Sequence, residues 1–164
     1  MAGQLVNETS LNDSEIQSAP HFNYALIVSQ WHPSITDKLR DGALYLLSQC
    51  KVSIEHINII SVPGAFELPL AAKWLIEHSH TDAIICLGCI IKGETKHDEI
   101  IAKSVSDAII HLNIQSEMPI LFGVLTVDNV QQAEDRAGGA LGNKGSEAAV
   151  AAIKMLYLQS QLKT

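Results

Sequence analysis

The sequence has few basic residues. Its 164 residues include 11 Lys and Arg against 18 Asp and Glu, which gives a formal net charge of −7. Proteins that wrap nucleic acid or bind an anionic membrane need an excess of positive charge, so this balance argues against both partners. We expect no nucleic acid and no membrane as partners, although the charge allows a small local anion site.

Long apolar runs are also missing. The longest mainly apolar run, residues 83–91, is nine residues long, whereas about 20 are needed to span a bilayer. Residues 1–20 contain Glu8, Asp13 and Glu15, no Lys or Arg and no apolar core, which is unlike a secretory signal. We therefore expect a cytoplasmic protein.

Cysteine is scarce, with only Cys50, Cys86 and Cys89 in the chain. An odd count without a secretory signal argues against a disulfide framework. Cys86 and Cys89 have C-x-x-C spacing, but they lie within an apolar strand, where residues three apart point to opposite faces. We expect two buried thiols that act as small hydrophobic side chains, and no metal site.

Hydrophobic residues, in contrast, make up 47% of the chain, which is enough for a packed core. Residues 1–20 are polar and end at Pro20, so we interpret them as a flexible arm. Residues 21–164 contain neither a linker nor an internal repeat, and we expect them to form a single domain.

Apolar strands alternate with helical patterns along this domain. Strands are predicted at 24–28, 57–62, 83–91 and 119–125, and helices at 68–77, 97–115, 129–137, 144–161 and from Pro33 onward. This alternation favours parallel strands joined by right-handed crossovers. The strands are apolar almost throughout, as in sheets covered on both faces. We therefore expect a three-layer α/β/α sandwich around a four-stranded parallel sheet.

In such sheets, ligands bind outside the carboxyl ends of the strands. Trp31 follows the first strand, where its ring could stack on a planar ligand or simply cap the core. Glu67 follows the second strand at the start of a helix, where its carboxylate could accept hydrogen bonds from ligand hydroxyls or only interact with the helix dipole.

The loop after the third strand, Gly93-Glu94-Thr95-Lys96-His97, leads into a long helix. Thr95 can cap this helix, and the N–H groups of its first turn form a natural anion site. His97 lies beside that site and could transfer protons near neutral pH; otherwise it is a solvent-facing histidine.

Residues 136–145 contain Arg136, Lys144 and four glycines. Glycines let the backbone approach a ligand closely, and the Arg guanidinium is a planar donor for phosphate. The segment does not match the P-loop pattern, however, because Asn143 separates Gly142 from Lys144. The alternative interpretation is a helix break flanked by surface charges.

Several motifs together resemble one family. They are V-P-G-A-F-E-L-P at 62–69, K-G-E-T-K-H at 92–97, F-G-V-L-T at 122–126, E-D-R-A-G at 134–138 and G-N-K-G at 142–145. With these motifs in this order, the chain resembles the 6,7-dimethyl-8-ribityllumazine synthases over residues 24–158. These enzymes are transferases of riboflavin biosynthesis. The resemblance implies a flavodoxin-like fold and no metal or organic cofactor. It also implies condensation of 5-amino-6-(D-ribitylamino)uracil with 3,4-dihydroxy-2-butanone 4-phosphate, with release of phosphate and water.

The resemblance also implies roles for single residues. Trp31 would stack on the pyrimidine, and Glu67 would accept hydrogen bonds from the ribityl chain. The other residues expected on this side are Ala65 and Phe66 along the ribityl chain, and the backbone of Cys89, Ile90 and Ile91 along the pyrimidine edge.

On the phosphate side, the resemblance implies that the main-chain N–H groups of Glu94 and Thr95 seat the phosphate and that Arg136 grips it. Lys144 would add positive charge, and His97 would shuttle protons. Phe122 resembles an aromatic residue that a neighbouring subunit inserts against the heterocycle.

Family members are homo-oligomers with active sites between adjacent subunits. The resemblance therefore implies a pentamer, with a sixty-subunit capsid and an association with riboflavin synthase as further possibilities. The chain departs from the usual family pattern at Gln30-Trp31-His32, Glu94, Asp98, Ile100 and 139–141. Because of these departures, a riboflavin-binding or storage protein on the same scaffold stays open as an alternative. A purely structural shell protein is a further alternative, since some family members build hollow capsids.

Overall fold

The computed structural model describes residues 10–163. Its α-helices are Asp13–Ser18 (α1), Pro33–Gln49 (α2), Leu68–His78 (α3), His97–Ser116 (α4), Val130–Arg136 (α5) and Lys144–Leu162 (α6). Its strands are Tyr24–Ser29 (β1), Ile57–Val62 (β2), Ala83–Ile91 (β3), Ile120–Val127 (β4), Ala137–Gly139 (β5) and Gly142–Asn143 (β6). Three 3₁₀ turns occupy Ala19–His21, Ile54–His56 and Ala65–Glu67.

The first four strands form one parallel sheet in the order β2-β1-β3-β4. The central strand β3 is buried at its first eight positions, because helices cover both faces of the sheet. The predicted three-layer sandwich with a four-stranded parallel sheet is therefore confirmed. The short β5 and β6 form a separate antiparallel pair.

Alternate residues of each strand contribute to two apolar layers. Leu39 of α2 and Ile153 of α6 pack with Leu26 on one face of the sheet. Leu68 of α3 and Val105 of α4 pack with Ile27 on the other face. This alternation follows from the two-residue period of a strand. No helix within residues 10–163 combines the length and the hydropathy that a membrane span requires.

The same alternation separates the two closely spaced cysteines. Cys86 packs in the layer beneath α3 and α4, whereas Cys89 packs in the layer beneath α2 and α6. Both residues are buried and their thiols are free. The prediction of two buried thiols on opposite faces of the strand is confirmed.

Regular elements occupy the second half of the segment interpreted from its sequence as a flexible arm, residues 1–20. Residues 13–21 form α1 and a 3₁₀ turn, and α1 begins with a capping box between Asn12 and Glu15. Ala19 is fully buried, and its carbonyl accepts a hydrogen bond of 3.1 Å from the Tyr24 hydroxyl. The polar composition of the segment did not indicate this anchoring, because the anchoring depends on only a few apolar side chains. The remainder of the expected arm, residues 1–9, lies outside the described residues.

Helices α2 and α6 approach closely where α6 begins. The Asn143 side chain caps α6, because its Oδ1 accepts from the main-chain N–H groups of Gly145 (2.8 Å) and Ser146 (3.2 Å). Its Nδ2 donates to the Lys38 carbonyl of α2 at 2.8 Å. Gly145 lies against the main-chain carbonyl of Leu39, and a Cβ at this position would overlap that carbonyl. The contact therefore requires a residue without a side chain.

We predict that Gly145→Ala destabilises the protein by about 1–3 kcal/mol, because the added methyl group forces the two helix backbones apart. Gly93→Ala is the matched control, since a Cβ at Gly93 meets no atom within 4 Å. Unfolding in urea measures both changes. Equal stability of the Gly145 variant and the wild type would contradict this account of the α2–α6 contact.

Candidate active site

A cavity of about 730 Å³ opens at the carboxyl edge of the sheet. It lies among the segments that follow β1, β2 and β3, which is where the sheet topology predicts a ligand site. Its lining is mostly apolar, with a few polar and titratable side chains. The lining residues are Trp31, His32, Pro63, Gly64, Ala65, Phe66, Glu67, Cys89, Ile90, Ile91, Gly93, Thr95, His97, Asp98, Ile100 and Ile101.

Trp31 occupies the loop between β1 and α2. The preceding Gln30 N–H donates to the Val62 carbonyl at 2.8 Å, which continues the β1–β2 ladder up to this loop. The Trp31 side chain is 70% exposed in the single chain and lines the cavity, so it does not cap the core. An exposed indole at a cavity wall provides a flat surface on which a planar ring can stack.

Glu67 ends the 3₁₀ turn that follows β2. Its Oε2 accepts a hydrogen bond of 2.9 Å from the Gly64 main-chain N–H, which fixes the carboxylate at the cavity wall. No hydrogen bond to the other oxygen, Oε1, is formed within the described residues. A half-buried carboxylate held in this way can accept hydrogen bonds from ligand hydroxyls. The neighbouring Phe66 is 59% exposed and adds apolar surface.

His97 is the first residue of α4. The Thr95 hydroxyl oxygen accepts from the His97 main-chain N–H at 3.4 Å. The N-cap of α4 is Lys96, however, and no side chain forms a capping hydrogen bond there, so the prediction that Thr95 caps this helix is wrong. The His97 imidazole is exposed and lines the cavity. N–H groups at the start of a long helix favour an anion, and the neighbouring imidazole can carry a proton to or from it.

Four residues that the resemblance implied for the site do not line the cavity: Glu94, Phe122, Arg136 and Lys144. Glu94 belongs to the loop before α4 but is absent from the wall. Phe122 lies on the edge strand β4, half-buried against the α3–α4 layer.

Arg136 and Lys144 meet at the start of α6 around the carboxylate of Glu147. The Arg136 Nη2 lies 2.9 Å from Glu147 Oε1, and the Lys144 Nζ lies 3.1 Å from Oε2. The Arg136 Nη1 also donates to the Leu141 carbonyl at 2.6 Å. Burial alone would raise the pKa of Glu147, but hydrogen bonds from Arg136 and Lys144 outweigh it and lower that pKa.

The cavity wall therefore carries carboxylates and imidazoles but no Lys or Arg side chain among the residues that the structure describes. An anionic ligand bound within one chain would depend on main-chain N–H groups and the α4 dipole. Cationic side chains would have to come from another surface.

The lining also includes residues to which the sequence assigned no role, among them His32, Asp98 and Ile101. Their position was the available signal, because His32 and Asp98 adjoin loops at the carboxyl ends of strands and Ile101 lies one turn further along α4. Cys89 lies at the wall as well, and burial raises the pKa of its thiol to about 11. Cys89 is therefore a neutral thiol at physiological pH and not a nucleophile. No group of three or more potential metal ligands occurs within residues 10–163.

A doubly wound parallel sheet with a mainly apolar cavity at its carboxyl edge defines a class of proteins that bind small organic molecules. The family profile of 6,7-dimethyl-8-ribityllumazine synthase matches residues 21–160. The chain belongs to this family, whose members are transferases of riboflavin biosynthesis.

Individual relatives agree with this assignment. The 6,7-dimethyl-8-ribityllumazine synthase of Flavobacterium johnsoniae is 42% identical over 98% of this chain and 85% of its own length. The protein of the same name from Parabacteroides distasonis is 42% identical over 95% of this chain and 98% of its own. That from Cytophaga hutchinsonii is 49% identical over 81% of this chain and 84% of its own.

Proposed function

We propose that this chain condenses 5-amino-6-(D-ribitylamino)uracil with 3,4-dihydroxy-2-butanone 4-phosphate to form 6,7-dimethyl-8-ribityllumazine, with release of phosphate and water. The observation that carries the proposal is one cavity, in a chain of this family, that gathers Trp31, Glu67 and His97. The riboflavin-storage alternative receives no support, because the relatives named above are all synthases.

The pyrimidine substrate occupies the side of the cavity between the β1 and β2 loops. Trp31 stacks on its ring, and the backbone of residues 89–91 hydrogen-bonds its edge. The ribityl chain runs along Ala65 and Phe66 to the Glu67 carboxylate. The exposure of the indole and the fixed orientation of the carboxylate support this placement.

The butanone phosphate occupies the start of α4. Main-chain N–H groups of Glu94 and Thr95 seat its phosphate, where the helix dipole favours negative charge. His97 transfers protons during imine formation, phosphate elimination and ring closure. Much of the rate comes from holding the two reactants together, since such positioning is worth about 7–11 kcal/mol in favourable cases.

The complete site is composed of two chains in a homopentamer. Phe122, Arg136 and Lys144 of one subunit reach the cavity of its neighbour. Arg136 and Lys144 supply the missing cations there, and Phe122 packs against the heterocycle. This arrangement is supported by the cavity wall of a single chain, to which residues 10–163 contribute no Lys or Arg side chain. It is also supported by apolar side chains on α3 and α4 that are more than half exposed: Leu70, Trp74, Ile100, Ile110 and Ile114.

The proposal also covers the larger assembly of the pentamers, the protein partner and the location in the cell. Twelve pentamers could close into the sixty-subunit capsid that the family resemblance allows. Riboflavin synthase, which consumes the lumazine product, is the proposed protein partner, and the cytoplasm is the proposed location. The net charge of −7 is compatible with a protein that binds neither nucleic acid nor a membrane.

We predict that the purified, assembled protein forms the lumazine from both substrates and that His97→Ala lowers kcat by about 10²-fold without abolishing it. Proton transfer is lost in this variant, whereas the positioning of the two reactants remains. The absorbance and fluorescence of the product measure the rate.

His111→Ala is the matched control, because His111 is an exposed histidine on the same helix and does not line the cavity. Its rate should equal that of the wild type. No product from the wild-type protein would refute the proposed function. Complete loss in His97→Ala with intact substrate binding would refute only the assigned role of His97.

We predict that oligomers co-expressed from His97→Ala and Arg136→Ala chains are more active than the average of the two parent variants. In a shared site, some interfaces of the mixed oligomer pair an intact His97 with an intact Arg136 of the neighbour. The specific activity of the co-purified oligomer measures this gain, and light scattering measures its subunit number.

A mixture of the two variants purified separately, which contains no mixed interfaces, is the control. Activity of the co-expressed oligomer equal to the parental average would contradict a site shared between subunits.

A further inference from the structure

His32 combines an unusual backbone with a place in the cavity wall. Its φ is 58° and its ψ 56°, which is the left-handed region that L residues with a Cβ rarely adopt. The next residue is Pro33, which further restricts the backbone of the residue before it. Such strain is maintained by surrounding structure and concentrates at functional sites.

The backbone of His32 has a clear structural task. Its carbonyl accepts from the main-chain N–H of Ile35 at 2.9 Å and of Thr36 at 3.0 Å, and from the Thr36 hydroxyl at 3.4 Å. These bonds start α2 and hold the left-handed conformation. Glycine or asparagine would serve this task as well, so the backbone does not require a histidine here.

The imidazole of His32, unlike its carbonyl, makes no hydrogen bond that stabilises the described part of the fold. Its ring is exposed, forms no hydrogen bond or ion pair with any residue of the range 10–163, and lines the cavity. Of the described polar side chains in that wall, Glu67 and Thr95 are engaged in hydrogen bonds of the local backbone. The His32 ring is therefore available to a ligand.

The register of the sheet shows which part of the cavity His32 adjoins. Strand β1 pairs with β2 so that Ser29 lies beside Val62. The ladder continues through the hydrogen bond from Gln30 N–H to the Val62 carbonyl. Because β2 is the neighbour of β1 in the sheet, the loop that carries His32 lies beside the segment after β2, which carries Ala65 and Glu67. His97 begins α4 beyond β3, on the opposite flank of β1.

We propose that the His32 imidazole hydrogen-bonds hydroxyl groups of the ribityl chain and sets the specificity of the site for a polyol substituent. This inference rests on the proposed function, in which Glu67 binds the same chain. A carboxylate only accepts hydrogen bonds, whereas a neutral imidazole has one donor and one acceptor. Sugar-like hydroxyls both donate and accept, so the two side chains together match such a chain better than either alone.

Two substitutions separate the ring from the backbone. His32→Gly removes the imidazole but accommodates the positive φ, and His32→Asn keeps a donor and an acceptor on a residue that tolerates this backbone. For His32→Gly, we expect the KM for 5-amino-6-(D-ribitylamino)uracil to rise about fivefold, the effect of one lost hydrogen bond. The KM for the butanone phosphate and kcat should stay unchanged, and His32→Asn should recover part of the loss.

A second substrate tests whether the hydroxyls are the partner. A 5-amino-6-alkylaminouracil of the same chain length but without hydroxyls should give the same kcat/KM with the wild type and with His32→Gly. An unchanged KM for the ribityl substrate in His32→Gly would overturn the inference, as would an equal loss with the alkyl analogue. A selective rise in the KM for the butanone phosphate would also overturn it, because the ring would then face the phosphate.

Product formation by the wild-type protein distinguishes failure of the proposed function from failure of the role proposed for His32. If the wild-type protein forms no lumazine from either pyrimidine, the proposed function fails. If it forms the product and the His32 variants behave like the wild type, only the role of His32 fails.

Discussion

The burial of β3 on both faces is the constraint on which the rest of the structure depends. An apolar strand of nine residues with eight buried positions needs a helical layer above and another below. Helices that cross over the sheet between consecutive strands make those strands parallel. Parallel strands bring their carboxyl ends to one edge, and the loops that start α2, α3 and α4 meet there. The cavity is thus a consequence of how the core is covered.

This constraint explains why so much of the fold could be predicted. The apolar runs of β1 to β4 and the helical spacing of α3 and α4 depend on local periodicity, and their observed bounds lie within two residues of the predicted ones. The anchoring of α1 could not be predicted, because it depends on the packing of Leu11 and Ile16 against distant parts of the core. The β5–β6 pair was visible only as a glycine-rich break, since its pairing is too short to produce a periodic pattern.

The residues of the candidate site likewise fall into a group that local rules could predict and a group that they could not. Trp31, Glu67 and His97 follow three neighbouring strands, so the edge rule alone was enough to predict that they share one cavity. Arg136 and Lys144 belong to segments beyond the edge strand β4, where they pair with Glu147. A rule about one sheet does not extend to a second copy of the chain. The family resemblance implied a phosphate role for Arg136 and Lys144, and their absence from the cavity wall is what leads to the proposal that they act across an interface.

The central claim is that the pyrimidine ring stacks on Trp31 in this cavity. The chain has two tryptophans, and Trp74 lies on α3 and does not line the cavity. The direct measurement is fluorescence quenching by 5-amino-6-(D-ribitylamino)uracil in Trp74→Phe, which retains Trp31, and in Trp31→Phe, which retains Trp74. The account predicts saturable quenching in Trp74→Phe and little in Trp31→Phe. Equal quenching in both variants, or quenching of Trp74 alone, would contradict it.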